Sequence, residues 1–266
     1  MRRRVLLASA PAAWLAACAA PGGGAGGGGG GGAAAGAELQ VFVSGATKSA
    51  FERLIGDYEG TSGDRLVPTY DTVGALRDRV TGGARPDLVL LSSAAIDALQ
   101  KAGLTTPPGR RVLGVVNAGL AVRKGAALPD ISTVDALKRT LLAARSIAYA
   151  DPARGATSGA HFAKTVDALG LRETLAGRIT VLSFGVDVIN DVAAGRFELG
   201  ASQSSEIVPH PGVQYAGALP APYSLATVYE AAVIGDSPRG AALLRFLGGP
   251  QARRSIEASG LKPVAA

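Results

Sequence analysis

The sequence has one cysteine, Cys18, among 266 residues. A lone cysteine excludes an intramolecular disulfide and a thiolate metal cluster. Histidine is almost as scarce, with only His161 and His210. Two scattered imidazoles lack the clustering that a zinc site needs, so neither a metal nor another cofactor is expected. No internal apolar run approaches the roughly 20 residues that cross a bilayer. The formal net charge is +6, yet the basic residues are interspersed with acidic ones and form no stripe with aromatics between. That pattern argues against a nucleic-acid surface. A G-x-S-x-G elbow is missing, which removes the usual support for a serine nucleophile.

What the sequence does contain begins at its N-terminus. Arg2, Arg3 and Arg4 form a positive segment, and Val5 to Leu15 a short apolar one interrupted by Pro11. This stretch is too short to span a membrane and has the layout of an export signal. Leu15-Ala16-Ala17-Cys18 resembles the lipobox of bacterial lipoproteins, which implies cleavage before Cys18 and a lipid on it. Residues 1–18 are therefore expected to be a lipoprotein signal. The remainder would be exported to the periplasmic or extracytoplasmic face and anchored to a membrane through Cys18. Loss of the three arginines lowers the net charge from +6 to +3. Residues 19–36 are almost entirely glycine and alanine. Glycine loses the most entropy on ordering, and nothing apolar there offsets the loss. A flexible tether with a root-mean-square reach of about 20–25 Å is expected. It is not a phosphate loop, since no strand precedes it and no GK[ST] follows.

From Glu38 the pattern changes. Leu39, Val41 and Val43 alternate as in a strand, and Phe51, Leu54, Ile55 and Tyr58 recur at helical spacing. Strands are expected at Leu66–Tyr70 and Asp87–Ser92, and helices at Gly74–Val80 and Ala94–Lys101. A second alternating block follows Gly119. Ser132 and Asp135 have capping-box spacing, Ile147–Ala150 and Ile179–Ser183 read as strands, and Ser158–Leu169 and Asp187–Ala194 as helices. Leu199–Ser202 and Ala226–Ile234 read as later strands, with helices near 240–247 and 250–258. Alternating strands and helices predict parallel sheets covered by helices, an α/β fold. The late strand and helices left over suggest a discontinuous first lobe, about 37–120 plus 224–266, with a second lobe at about 121–223. Two crossings between lobes would create a hinged cleft, a common place for small ligands.

Several segments together resemble the periplasmic molybdate-binding proteins. They are Leu39-Gln-Val-Phe-Val-Ser-Gly-Ala46, the run from Val73 to Ser92, Ala150-Asp-Pro-Ala-Arg-Gly-Ala-Thr-Ser-Gly159, Gly195-Arg-Phe-Glu-Leu-Gly200, and the ending Phe246 to Arg253 with Gly260-Leu-Lys-Pro263. The likeness extends over nearly all of 38–263. It implies a two-lobed type II periplasmic binding protein fold with a hinged interlobe cleft, a small anionic solute as ligand, and an ABC-transporter permease as partner. It also implies that the chain catalyses nothing. Carried over residue by residue, the family's first ligand serine falls on Ala46, with Ser44 two residues earlier and Thr47 next to it. Its second serine falls on Thr72 or Val73. Its backbone amides fall on Ser158 and on Gly185 or Val186, and its tyrosine falls on Gln203.

The residues themselves suit an anion at these places. Several stand where a strand or loop hands over to a helix, whose first amides have no internal partner and carry the positive end of the dipole. Ser44, Thr47, Thr72, Ser158 and Gln203 bring donors, Thr157 stands beside Ser158 at the amide site, and Gly45, Gly74 and Gly159 allow close approach to backbone. Ordinary helix capping would use the same residues. Lys48 and Arg154 stand at the same mouths, either as added positive charge or as solvated surface. Asp71 and Asp187 oppose a highly charged anion unless they cap helices. The expected ligand is a molybdate- or tungstate-like oxyanion or a small organic acid. Two further possibilities stay open. One is a sensory or scaffold protein with the same fold. The other is a hydrolase using Ser158 and His161, which at three residues apart can share a helix face.

Overall fold

The computed structural model describes residues 36–264; the expected signal segment, Cys18 and nearly all of the expected tether lie outside the described residues. β1 (Glu38–Ser44) runs into α1 (Gly45–Ser62), and β2 (Arg65–Asp71) into α2 (Val73–Thr81). β3 (Leu88–Ser92) runs into α3 (Ser93–Lys101), and the long β4 (Arg110–Arg123) leads to α4 (Val134–Ala143). Next come β5 (Ile147–Ala150), α5 (Thr157–Ala168), α6 (Arg172–Leu175), β6 (Ile179–Leu182) and α7 (Gly185–Ala193). β7 (Leu199–Gln203), α8 (Ser204–Ile207), β8 (Val213–Ala218), β9 (Ala226–Val233), α9 (Pro238–Leu247) and α10 (Pro250–Ala258) complete the order.

Packing follows from the residue pattern. Every residue of β3, Leu-Val-Leu-Leu-Ser, is buried, because helices cover both faces of the strand. In α1 the buried Phe51, Leu54 and Tyr58 lie on one stripe, and the helix ends where Gly63 takes the left-handed conformation at φ 74°. The strands form one mixed sheet in the order β2-β1-β3-β9-β4-β7-β5-β6, with β8 also paired to β4. β1 lies between β2 and β3 and parallel to both, as β5 does between β6 and β7, whereas β9 and β4 run antiparallel to their neighbours.

Two groups of cores sit along this sheet. One draws on residues 39–116 and 229–261, the other on residues 120–219. The chain passes between them twice. β4 pairs with β9 from Arg110 to Asn117 and with β7 from Ala118 to Ala121, so one strand belongs to both halves. The return runs from β8 to β9 through Leu219–Leu225. Within the first half, β4 is tied to β9 by a largely buried ion pair, in which the Arg110 guanidinium meets both carboxylate oxygens of Glu230 at 3.0 and 3.1 Å.

The mixed α/β class and the element order agree with the sequence pattern, with instructive differences. Arg110–Ala118 did not read as a strand because its alternation is broken by a register shift between Val112 and Gly114. α6 and α8, at four residues each, are too short to show a helical period. β8 also went unread. The expected capping box is displaced: Thr133, not Ser132, accepts from the Ala136 amide at 3.1 Å, while the Ser132 hydroxyl donates to Asp130 at 2.7 Å.

Candidate functional site

The parallel strands of both halves point their carboxyl ends at a common cleft, where open α/β sheets place ligands. A cavity of about 150 Å³ lies there. The helices that follow these strands bring their N-termini to its wall: α1 through Gly45 and Ala46, α2 through Val73, α5 through Thr157 and Ser158, and α7 through Gly185 and Val186. α7 starts two residues earlier than the sequence pattern suggested, which is what carries Gly185 and Val186 into its first turn.

Of the thirteen positions expected to bind, ten line this cavity: Ser44, Gly45, Ala46, Thr72, Val73, Thr157, Ser158, Gly185, Val186 and Gln203. Three do not. Thr47 is fully buried and gives its only hydroxyl proton to a carbonyl, nearest that of Ser44 at 3.0 Å. The 3.0 Å contact between the Ser44 and Thr47 hydroxyls is then donated by Ser44. Gly74 donates its amide across the cleft to the Gly155 carbonyl at 3.2 Å. Gly159 packs α5 onto β5, where an added Cβ would run into the Ala150 carbonyl. That contact is with backbone and cannot yield, so Gly159→Ala should destabilise the fold by about 1–3 kcal/mol. Thermal unfolding would register roughly 2–4 °C for each kcal/mol.

The mouth is bridged between the two halves. Thr72 caps α2 by accepting from the Ala75 amide at 3.2 Å, and its hydroxyl donates to the Arg154 carbonyl. Arg154 Nη2 donates to Asp71 at 3.1 Å, and its guanidinium lies 4.8 Å over the Phe184 ring. Asp71 is thereby neutralised by a cation, which answers the concern that it would repel an anion. Lys48 lines the cavity, 4.9 Å over the Tyr70 ring and 3.8 Å from Glu52. Asp187 is not among the lining residues. The Ser158–His161 pair is not assembled. The His161 Nε2 lies 2.8 Å from the Tyr223 carbonyl, and no hydrogen bond joins it to Ser158.

Besides Tyr70, two polar residues on the wall were not foreseen. Tyr229, on β9, accepts from the Gln203 side-chain Nε2 at 3.4 Å, so a tyrosine reaches the wall from a different strand. Glu206 accepts from the Ser202 hydroxyl and, at 3.4 Å, from the Gln203 backbone amide. Its carboxylate occupies space that side chains at Gly45 and Gly185 would need, since a Cβ on either would stand 2.7 Å from Oε1. Those glycines are the first residues of α1 and α7, so the carboxyl sits over two helix N-termini. Burial pushes the Glu206 carboxyl above the ordinary carboxylate range, against the opposing hydrogen bonds from Ser202 and Gln203. Burial, and then the Glu206 charge, push the Tyr229 phenol up as well.

A raised carboxyl costs stability once it ionises. The neutral form is at no disadvantage below the ordinary value near 4.5, and the cost grows as pH rises toward and through the raised folded-state value. Glu206→Gln mimics the neutral form at every pH. The variant should match the wild type near pH 4 and gain on it progressively above that, as read by thermal unfolding across pH. A constant difference would contradict the assignment.

A sequence profile of the bacterial extracellular solute-binding proteins matches residues 39–262. A Pseudomonas sp. protein described as aconitate isomerase is 33% identical over 237 residues, covering 86% of this chain and 88% of that protein. The periplasmic molybdate-binding protein of Azotobacter vinelandii superposes with a TM-score of 0.72 at 19% identity, covering 85% of this chain and 100% of that one. A periplasmic thiamin-binding protein superposes with a TM-score of 0.69 at 16% identity, covering 88% and 86%. At these identities the two structures establish a shared two-lobed fold, in line with the resemblance read from the sequence.

Proposed function

The chain belongs to the bacterial extracellular solute-binding proteins, and on that footing we propose that its cleft captures a small polycarboxylate of the aconitate class. The observation that carries this reading is the convergence of four helix N-termini on one cavity. Each terminus contributes about 0.3–1 kcal/mol to an anion when exposed and up to about 2 when partly buried. Several together, aimed at different points of the wall, suit a ligand with several separated carboxylates. Cavity size supports the same class. At about 150 Å³, against roughly 10–15 Å³ for one water on such a measure, the space exceeds what a single tetrahedral oxyanion fills. It is also well below the roughly 300–1,000 Å³ of pockets for drug-sized ligands. Alanine at position 46 and glutamine at 203, in place of the serine and tyrosine of molybdate binders, weaken the oxyanion alternative further. The 33% identical relative points to the same ligand class through its name.

On this reading the protein works outside the cytoplasmic membrane, held by a lipid on Cys18, and hands its solute to an ABC permease. A second reading, that the cleft also converts its ligand, is favoured by the relative's described activity and by the Glu206 carboxyl on the wall.

Thermal unfolding with a panel of cis-aconitate, trans-aconitate, citrate, molybdate, tungstate and sulfate tests the ligand class. Saturation at about 100 times Kd adds roughly 2.7 kcal/mol, an upward shift of about 5–10 °C for a chain this size. The account expects that shift with the polycarboxylates and none with the tetrahedral oxyanions. The reverse pattern would move the ligand to the oxyanion class.

A further inference from the structure

We propose that Glu206 is a catalytic proton carrier that isomerises an allylic polycarboxylate held in the cleft. The inference rests on the polycarboxylate reading above. Its basis is where Glu206 stands. It lines the cavity, is held by the Ser202 hydroxyl, and lies over the N-termini of α1 and α7 in space left by Gly45 and Gly185. The side chain also closes the capping box at the start of α8 by accepting from the Gln203 backbone amide, but capping alone does not call for a buried carboxyl on the wall of an anion site, where an ionised one repels the ligand. A proton-transfer enzyme requires one.

The chemistry needs a single such group and no co-reactant. In propene-1,2,3-tricarboxylate the C3 methylene is allylic and also bears a carboxylate. Glu206, as the carboxylate, takes a proton from C3: the C–H bond breaks and a Glu206 O–H bond forms. The electron pair left behind delocalises over C1, C2, C3 and the flanking carboxylates. Glu206 then returns the same proton to C1, leaving the double bond between C2 and C3. Because the carbon skeleton is symmetric, the product has the same constitution. Its geometry is set by the rotamer in which the methylene carboxylate was bound, so no double bond has to twist. Charge gathered on the carboxylates in the intermediate falls on ligand groups already facing the helix N-termini, whose amides are fixed before the reaction begins. The raised affinity of Glu206 for a proton makes it a stronger base than an ordinary carboxylate. This departs from the expectation, implied by the family resemblance, that the chain catalyses nothing; the missing nucleophilic elbow does not oppose it, since an isomerase has no use for one.

The test combines calorimetric titration of trans-aconitate with proton NMR of both aconitate isomers incubated with the protein in D₂O. The wild type should bind, interconvert the isomers, and exchange deuterium into the ligand's carbon-bound positions when transfer is slow enough for solvent to intervene. Glu206→Gln, which keeps an acceptor for Ser202, should bind within a few fold of wild type yet lose about 10²- to 10⁴-fold in isomerisation rate. Glu206→Asp, which keeps the acid but withdraws it, should fall between them. Tight binding by a wild type that produces neither isomerisation nor exchange would overturn the proton-carrier role and leave the binding reading intact. Wild-type turnover in folded Glu206→Gln would also overturn it. Failure of either isomer to bind the folded wild type would overturn both.

Discussion

Gly74→Val is expected to weaken polycarboxylate binding by roughly ten- to hundredfold while leaving the unliganded fold nearly as stable. Gly74 and Gly155 meet across the cleft, and a Cβ on Gly74 would stand 2.7 Å from the Gly155 Cα. The neighbour is backbone, tied by the Gly74 amide to the Gly155 carbonyl and by the Thr72 hydroxyl to the Arg154 carbonyl. It cannot step aside as a flexible side chain would. The least costly relief is for the two halves to separate, which parts α1 and α2 from α5 and α7. A ligand held by all four N-termini then loses half its contacts. Overpacking of this kind costs about 1–3 kcal/mol, and 1.4 kcal/mol is tenfold in affinity. Calorimetry with trans-aconitate measures the loss, and Gly74→Ala should show a smaller one. Unchanged affinity in Gly74→Val would mean that the halves need not meet here for binding.

Arg110→Ala is expected to lower stability by about 3–5 kcal/mol, the range for removing one partner of a buried pair. The unfolding midpoint should fall by roughly 10 °C, at about 2–4 °C for each kcal/mol. Glu230 is only 7% exposed, and its two hydrogen bonds from Arg110 cannot be replaced by water there. Arg110 also reaches Asp97 at 2.8 Å and Gln100 at 2.7 Å, so its loss unties β4 from α3 as well as from β9. Most of the cost is an uncompensated charge, so Arg110→Leu with Glu230→Leu should recover much of it. A double variant no better than Arg110→Ala would assign the stability to the pair's own attraction.

How far the sequence spoke for the structure depends on the kind of signal. The strand-to-helix handovers at Ser44–Gly45 and Thr72–Val73 were legible because each junction carries its own capping or glycine residues beside an apolar period. Since ligand contacts in such a fold gather at these junctions, ten of the expected positions reach the cavity. The contacts that were not legible join residues far apart in the chain. Nothing local to Glu206 in Ser-Gln-Ser-Ser-Glu indicates that Gly45 and Gly185, one of them 161 positions away, clear space for its carboxyl. Tyr229 lies in a strand that reads as plain core, and only the pairing of β9 with β4 brings its phenol to Gln203. Gly74 and Gly159 looked alike as glycines that could admit a ligand. The first instead lets the halves of the protein touch at Gly155, and the second lets a helix lie on a strand.

The most direct test of the central claim is a crystal structure of the protein grown with trans-aconitate. The account predicts the ligand in the interlobe cavity, with its carboxylates on the first-turn amides of α1, α2, α5 and α7 and its C3 methylene facing Glu206. A ligand bound instead at the outer groove near Arg123 and Arg145, with the interlobe cavity left to water, would contradict it.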